Sequence, residues 1–312
     1  MSEAAPRVTA VIVTYESSDT IDAALRALRL GYEAGMLEAI VVDNASSDGT
    51  PEQVARNHPW ATLVHSGGNL GYGRGCNLGF ERANTPYLLV MNPDAVVEVE
   101  ALDTLVRFMD AHEKAGLCGP AVVEGSGRLQ LSGAMLTPVS IMLKPILPRL
   151  AGPRMRSVEP GESPMRTNWI CGSIMLIRRP MIDELRGFDP RFFLYFEETD
   201  LCKRAAEADW EIWTVGEATC RHVAGASAGV TGESLVQGAI AKHFFESRFY
   251  YLVKHHGRVP AVAAELGELC AMSLRALIER LRGRPYPNLG LRWRAPILKQ
   301  PAQPEDRGRC VD

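Results

Sequence analysis

The 312-residue chain lacks any run of about 18 consecutive apolar residues, the length a membrane-spanning helix needs. Its first apolar run, Val8 to Val13, is too short for a secretory leader, and Leu129 to Leu143 is broken by Gln130, Ser132, Gly133, Thr137 and Pro138. These absences predict a cytoplasmic protein that meets a membrane only peripherally. Paired cysteines are missing too. The seven present, at 76, 118, 171, 202, 220, 270 and 310, are odd in number and scattered, with no CxxC, which excludes a disulfide framework or zinc ribbon and fits a reducing compartment. There is no GxxxxGK[ST], and the turn after Val13 has no glycine. Gly71-x-Gly73-x-Gly75 lacks the full GxGxxG spacing and follows the third predicted strand, so P-loop and dinucleotide-binding Rossmann domains are disfavoured.

Net charge is also scarce, at −3, but it is unevenly spread. Residues 257–312 hold ten Lys or Arg against six Asp or Glu, leaving −7 on the remainder. An acidic body argues against nucleic-acid binding. Two stretches contain no acid at all: Gly125 to Val158, and Arg280 to Pro304 with five arginines and Lys299. Each reads either as solvated surface or as a contact for anionic lipid or a lipid-linked phosphate.

What is present is an alternation of strand and helix. RVTAVIVTY, AIVVDN, ATLVHS and YLLVMN read as buried strands, and TIDAALRALRL, PEQVARNH and GCNLGFERA as the helices between them. That order predicts an α/β fold with a doubly wound, mostly parallel sheet, whose ligands bind beyond the carboxyl ends of the strands. The second half is mixed: WICGSIMLIRR and EIWTVGEATCRHV read as strands, and GFDPRFFLYFEETDLCKRAAEADW as an aromatic loop entering a helix. From about Ser234 to Arg284 the pattern is helical with a break at Gly257 to Pro260, and a loose Pro- and Arg-rich tail follows. The expected organisation is an α/β domain over 1–233, a helical extension over 234–285 and the tail over 286–312.

The strand ends carry polar residues. Asp43 follows an apolar strand and can accept hydrogen bonds from a pyrimidine NH or ribose hydroxyls, or it can cap the helix that follows Ser46, Ser47 and Asp48. Thr14, Tyr15 and Glu16 end the neighbouring strand, and Asn44 and Ser46 follow Asp43. Asn69, Gly71, Gly73, Arg74, Gly75 and Asn77 form a glycine-rich approach to a helix, suited either to backbone contact with phosphate or to a plain tight turn. Asn92-Pro93-Asp94 closes another apolar strand and offers oxygen donors to a hard cation. Glu197, Glu198 and Asp200 sit among aromatic residues at a predicted helix start, where burial would raise a carboxyl pKa and the helix dipole would lower it. Gly225 to Gly229 matches GxSxG around Ser227, but the glycine-rich sequence that follows is not the strand-to-helix context a hydrolase nucleophile needs.

Taken together, VIVTYES, VVDNASSDGT, NLGYGRGCNLGF, MNPDAVV, CGSIMLIRR, FFLYFEETDLCKRA and His222-x-x-Gly-x-Ser, in this order, resemble family 2 glycosyltransferases, and more narrowly their rhamnosyltransferase-like branch. The resemblance spans roughly residues 7–255. It implies a GT-A-like fold, with 1–233 as the catalytic domain (donor half 1–124, acceptor half 125–233), and an inverting hexosyltransferase that uses a nucleoside diphosphate sugar, dTDP-rhamnose in this branch. The implied acceptor is a hydroxyl of a cell-envelope glycan or lipid-linked intermediate, reached at the inner face of the plasma membrane. It further implies donor binding by Thr14, Tyr15, Glu16, Asp43, Asn44, Ser46, Asn69, Gly71, Arg74, Asn77, Asn92 and Asp94. A divalent cation, Mg2+ or Mn2+, falls to Asp94 and His222; only the second acid of the family's DxD motif is present here. Trp169, Cys171, Gly172 and Ser173 fall on the acceptor side. The base falls within Glu197, Glu198 and Asp200, with Glu198 favoured by position. A UDP- or GDP-sugar donor, a nucleotidyltransferase and a non-catalytic sugar-nucleotide-binding subunit are the alternatives.

Overall fold

The computed structural model describes residues 5–147, 155–223, 239–286 and 288–302. The GxSxG segment and part of the basic 125–158 stretch lie outside the described residues. So do the start of the predicted helical extension and the last ten residues of the tail.

Strand β1 (Val8–Thr14) is buried along its whole length. Its alternate residues serve two separate cores: Val8, Ala10 and Ile12 face one, Val11 and Val13 the other. A period-2 strand that is apolar on both faces belongs at the centre of a sheet covered by helices on both sides. Around it lie β2 (Leu37–Asp43), β3 (Thr62–His65) and β4 (Tyr87–Met91), all parallel, with register Thr14 to Asp43 at their carboxyl ends. Helices α1 (Ile21–Glu33), α2 (Thr50–Asn57) and α3 (Tyr72–Arg82) make the crossovers. In α1, Ile21, Ala24, Leu25 and Leu28 are buried at helical spacing, as the sequence pattern requires.

The sheet then continues with antiparallel insertions. After β5 (Ala95–Val96) and α4 (Val99–Ala111) come β6 (Ala115–Glu124), β7 (Leu131–Gly133), α5 (Pro138–Leu143), β8 (Met155–Ser157), β9 (Met165–Thr167), β10 (Ile174–Arg178), α6 (Arg179–Glu184), α7 (Glu197–Glu207) and β11 (Glu211–His222). The nine-stranded order is β3-β2-β1-β4-β10-β6-β11-β5, with β9 against β11, and β7 and β8 pair separately. The longest ladders, β1 with β2 and β6 with β11, are parallel, while β10 is antiparallel to both β4 and β6. This is the mixed, mostly parallel sheet that the resemblance implies.

Three further helices complete the described chain: α8 (Ala239–His256), α9 (Arg258–Leu281) and α10 (Asn288–Arg294). The predicted break at 257–260 narrows to Gly257, whose φ of 85° turns the chain, and Pro260 falls in the first turn of α9, where its missing N–H costs nothing. Phe249, Tyr250, Tyr251 and Leu252 of α8 share a core with Phe192 and Phe196 of the aromatic loop, so these helices pack directly behind α7. Where the sequence predicts a loose tail from 286, residues 288–294 are helical. Arg292 is almost fully buried and, together with Arg248, pairs with Glu265 and Glu268.

Candidate active site

The residues at the ends of β1 and β2 come together. Thr14 Oγ1 donates to Asp43 Oδ1 at 3.2 Å, and both side chains are buried. The Asp43 carboxylate also accepts from Ser46 N at 3.2 Å, so the local turn role holds as well. Glu16, with a left-handed φ of 50°, accepts from Ser47 N at 2.7 Å, and its own N–H donates to Ser46 Oγ. The two loops are thereby tied into one wall, with Tyr15 exposed beside them. Asn44 donates to the Gly71 carbonyl at 3.1 Å, and its buried Oδ1 has no protein partner.

The glycine-rich segment behaves differently from its sequence reading. Gly71 has a φ of 87°, and a β-carbon there would strike the Phe193 carbonyl oxygen at 2.3 Å. A side chain on Gly75 would meet Val13 at 2.7 Å. These glycines let α3 approach the sheet and the aromatic loop; the close contact expected with a ligand is made by the protein's own backbone. Asn77 bridges the Phe188 N–H and carbonyl at 2.8 and 2.9 Å and so braces the aromatic loop against α3. Asn69 is exposed and accepts from Gly71 N. Arg74, on the first turn of α3, keeps a buried Nη1 without a partner, which suits an incoming anion.

Beyond β4 a polar cluster forms. His222 Nε2 lies 2.9 Å from Asp94 Oδ1 and 3.2 Å from Asn92 Nδ2, with Asp94 3% and the imidazole 12% exposed. Its Nδ1 is 3.1 Å from Gln130 Nε2, and Gln130 Oε1 accepts from Ser173 Oγ at 2.6 Å. An imidazole whose Nε2 faces a cation carries its proton on Nδ1, so in that state the Gln130 amide is turned the other way, its oxygen accepting from Nδ1–H and its nitrogen donating to Ser173 Oγ, and it orients the ring. A hard oxygen and an imidazole nitrogen about 3 Å apart suit neighbouring corners of an octahedral site, whose remaining positions a diphosphate and water can fill. Asp94 and His222 therefore fit a divalent cation. Among the described residues no third His, Cys, Asp or Glu joins them.

The acidic run opens α7, earlier than the predicted start near Asp200, after two consecutive left-handed residues, Tyr195 (φ 68°) and Phe196 (φ 69°). Such backbone is strained for bulky side chains and sets the direction in which the acids leave the helix. Glu197 is buried towards α3, near Gly73, and its Oε2 has no partner. Burial pushes its carboxyl well above the usual range, and the neighbouring Glu198 charge adds to this. Glu198 points the other way. It packs on Gly172 and lines a cavity of about 250 Å³ together with Trp169, Tyr195, Phe196 and Phe244. Burial raises its pKa against hydrogen bonds that favour the charged form. Thr199 Oγ1 donates to Glu198 at 3.1 Å and accepts from Trp169 Nε1 at 3.0 Å. Cys171, with its thiol pushed up to about 11 by burial, stays neutral beside it.

Asp200 faces away from the Glu198 cavity lining and holds neighbouring basic groups. Fully buried, its carboxylate accepts from Arg204 at 2.7 Å, His255 at 2.7 Å and Lys254 at 2.6 Å, and despite burial these hydrogen bonds and charges hold its pKa down. It ties α7 to α8, and three basic side chains already surround its carboxylate. Sequence reasoning also passed over Gln130 and Thr199. Both are ordinary polar residues whose roles arise from partners 92 and 30 positions away.

Comparison with known proteins agrees with this architecture. The family model described as glycosyl transferase family 2 matches residues 9–186, more than half of the chain; Glu197, Glu198 and His222 lie beyond that stretch. An N-acetylglucosaminyl-diphospho-decaprenol L-rhamnosyltransferase of Mycobacterium tuberculosis is 28% identical over 299 residues, covering 88% of this chain and 95% of the relative. The rhamnosyltransferase WbbL of Escherichia coli is 25% identical, covering 64% of this chain and 76% of its own. Among solved structures, the mannosyltransferase PcManGT from Pyrobaculum calidifontis, in complex with GDP-Man and Mn2+, superposes with a TM-score of 0.58 at 18% identity, covering 92% of this chain and 79% of that one. S. aureus TarS 1–349 with UDP-GlcNAc gives 0.53 at 14% identity, covering 89% and 87%.

Proposed function

The chain belongs to glycosyl transferase family 2 and is a glycosyltransferase; we propose that it transfers L-rhamnose from dTDP-rhamnose, with inversion, to a hydroxyl of a cell-envelope glycan or lipid-linked acceptor. The observation that carries the catalytic reading is Glu198. It is the one carboxylate, with a raised pKa, on the wall of a mostly apolar cavity that Lys144 also lines, held by Thr199 and backed by Gly172. A sugar hydroxyl is a weak nucleophile, and a carboxylate whose proton affinity burial has raised is the better base for it. Glu198 takes the hydroxyl proton as the acceptor oxygen attacks the anomeric carbon and the nucleoside diphosphate leaves from the opposite face.

Thr14, Asp43 and the Glu16–Ser46 wall receive the nucleoside, and Arg74 with the free Asn44 Oδ1 faces polar groups of the donor. Asp94 and His222 would hold the divalent cation, which neutralises the departing diphosphate when bound. Gln130 and Ser173 keep the imidazole turned towards Asp94. No described helix is long and apolar enough to cross a membrane, and the proposed location is peripheral, at the inner face of the plasma membrane.

The reading is tested by incubating the purified protein with dTDP-rhamnose, UDP-glucose, UDP-galactose or GDP-mannose, with Mg2+, Mn2+ or EDTA and a membrane extract as acceptor source. Selective, cation-dependent release of dTDP is expected. Release only from a UDP- or GDP-sugar overturns the rhamnose assignment and leaves the transferase reading standing.

A further inference from the structure

Helix α9 presents an apolar stripe to solvent. Val259, Leu266, Cys270, Leu274, Leu277 and Leu281 are all exposed, Leu274 by 48%, Leu277 by 55% and Leu281 by 80%. At about 100° per residue their positions fall within an arc of about 80°, extending about 33 Å along the helix. The acids of α9 lie elsewhere on it: Glu265 and Glu268 pair with Arg248 and Arg292 on the buried side, and Glu279 lies 3.6 Å from Arg282. The exposed charges on α9 and just beyond its end are of one sign, at Arg258, Arg280, Arg282 and Arg284.

We propose that this face of α9 lies flat on an anionic phospholipid bilayer, with its leucines at the acyl boundary and its arginines among the headgroups. A helix that combines a narrow apolar stripe with cationic flanks is the form such surfaces bind. A second copy of the chain would instead bring like charges together, because α9 and the described residues just beyond its end have exposed arginines and no exposed acid to complement those of a partner. The face continues onto α5 and the turn after it, where Val139, Ile146 and Leu147 are exposed. Helix α5 packs on α9 through Met142, which sits against Gly267. Lys144, directly after α5, lines the cavity that holds Glu198. The proposal rests on the lipid-linked acceptor reading in one respect: a bilayer under α9 and α5 brings a membrane-anchored acceptor alongside that cavity.

The test is co-flotation of the full chain with vesicles of phosphatidylcholine alone or with 30% phosphatidylglycerol (roughly the anionic fraction that attracts basic segments). Binding to the anionic vesicles that weakens with salt is expected. Leu274→Glu/Leu277→Glu, at exposed positions, should lower that binding by roughly tenfold or more. In a Cys310→Ser background, an environment-sensitive dye on Cys270 should shift to the blue with anionic vesicles. Equal flotation of wild type and the double variant overturns the proposal. So does a concentration-dependent dimer that the double variant abolishes without any vesicle binding. Donor turnover is measured separately as dTDP release from dTDP-rhamnose with a detergent-solubilised membrane extract as acceptor source: lost flotation with retained turnover refutes the membrane face alone, and flotation without dTDP release refutes the rhamnose-transfer reading alone.

Discussion

Glu198 rests against Gly172: a β-carbon at position 172 would stand 3.2 Å from Glu198 Cβ and 3.3 Å from its Cγ. The absence of a side chain on one strand approach therefore sets where the proposed base sits. Gly172→Ala should displace the carboxylate by a few tenths of an ångström and lower kcat about tenfold, and Gly172→Val should lower it further. Donor KM should stay near the wild-type value, since the nucleoside wall is built from β1 and β2. Steady-state kinetics at saturating acceptor check both.

Glu197 is buried, partly unpartnered and raised in pKa. A buried acid with a raised folded-state pKa contributes stability that is complete below its unfolded pKa and is lost as pH rises through the folded value. Glu197→Gln should therefore raise Tm at pH 8 and flatten the fall of Tm with pH on the alkaline side. Thermal melts from pH 5 to 9 decide it; a lower Tm at pH 8 would mean that the charged form is supported.

Asp200 carries the opposite sign. Its lowered pKa gives stability that is present above the unfolded value and lost as pH falls through the folded one. Asp200→Ala leaves Arg204, Lys254 and His255 facing one another, and removing one partner of a buried network costs about 3–5 kcal/mol. Denaturant unfolding should register that loss. The folded fraction should keep the wild-type pH–rate profile, which a catalytic Asp200 would not allow.

Gln130 acts through His222. Groups that orient a metal-binding histidine change affinity by about 10–100-fold when removed, so Gln130→Ala should raise the Mn2+ concentration needed for half-maximal activity by that factor. At saturating Mn2+ its kcat should recover most of the wild-type value. Asp94→Ala should not recover.

The parts of this architecture visible in the sequence were those governed by local pattern. Strands β1, β2 and β4 announce themselves by unbroken apolar runs, and their polar ends, Thr14, Asp43 and Asp94, fall where such runs stop. Glu198 stood out because acids seldom cluster among phenylalanines. What the pattern could not show were partners brought by distant chain. Asp200 looks like Glu198 in sequence and differs because Arg204 one turn on and, from α8, Lys254 and His255 surround it. Asn77 and Gly71 read as ligand contacts, and the sequence does not show that the 188–193 loop packs against them. Arg292 sits in a stretch whose composition suggests loose chain, and only the acids of α9 explain its burial.

The central claim, that Glu198 deprotonates the acceptor, is tested most directly by Glu198→Gln, which keeps the shape and removes the base. With dTDP-rhamnose and an active acceptor extract, turnover should fall by about a hundredfold or more while calorimetric donor affinity stays within about twofold. Turnover that survives the substitution, or donor affinity that falls with it in proportion, would contradict the account.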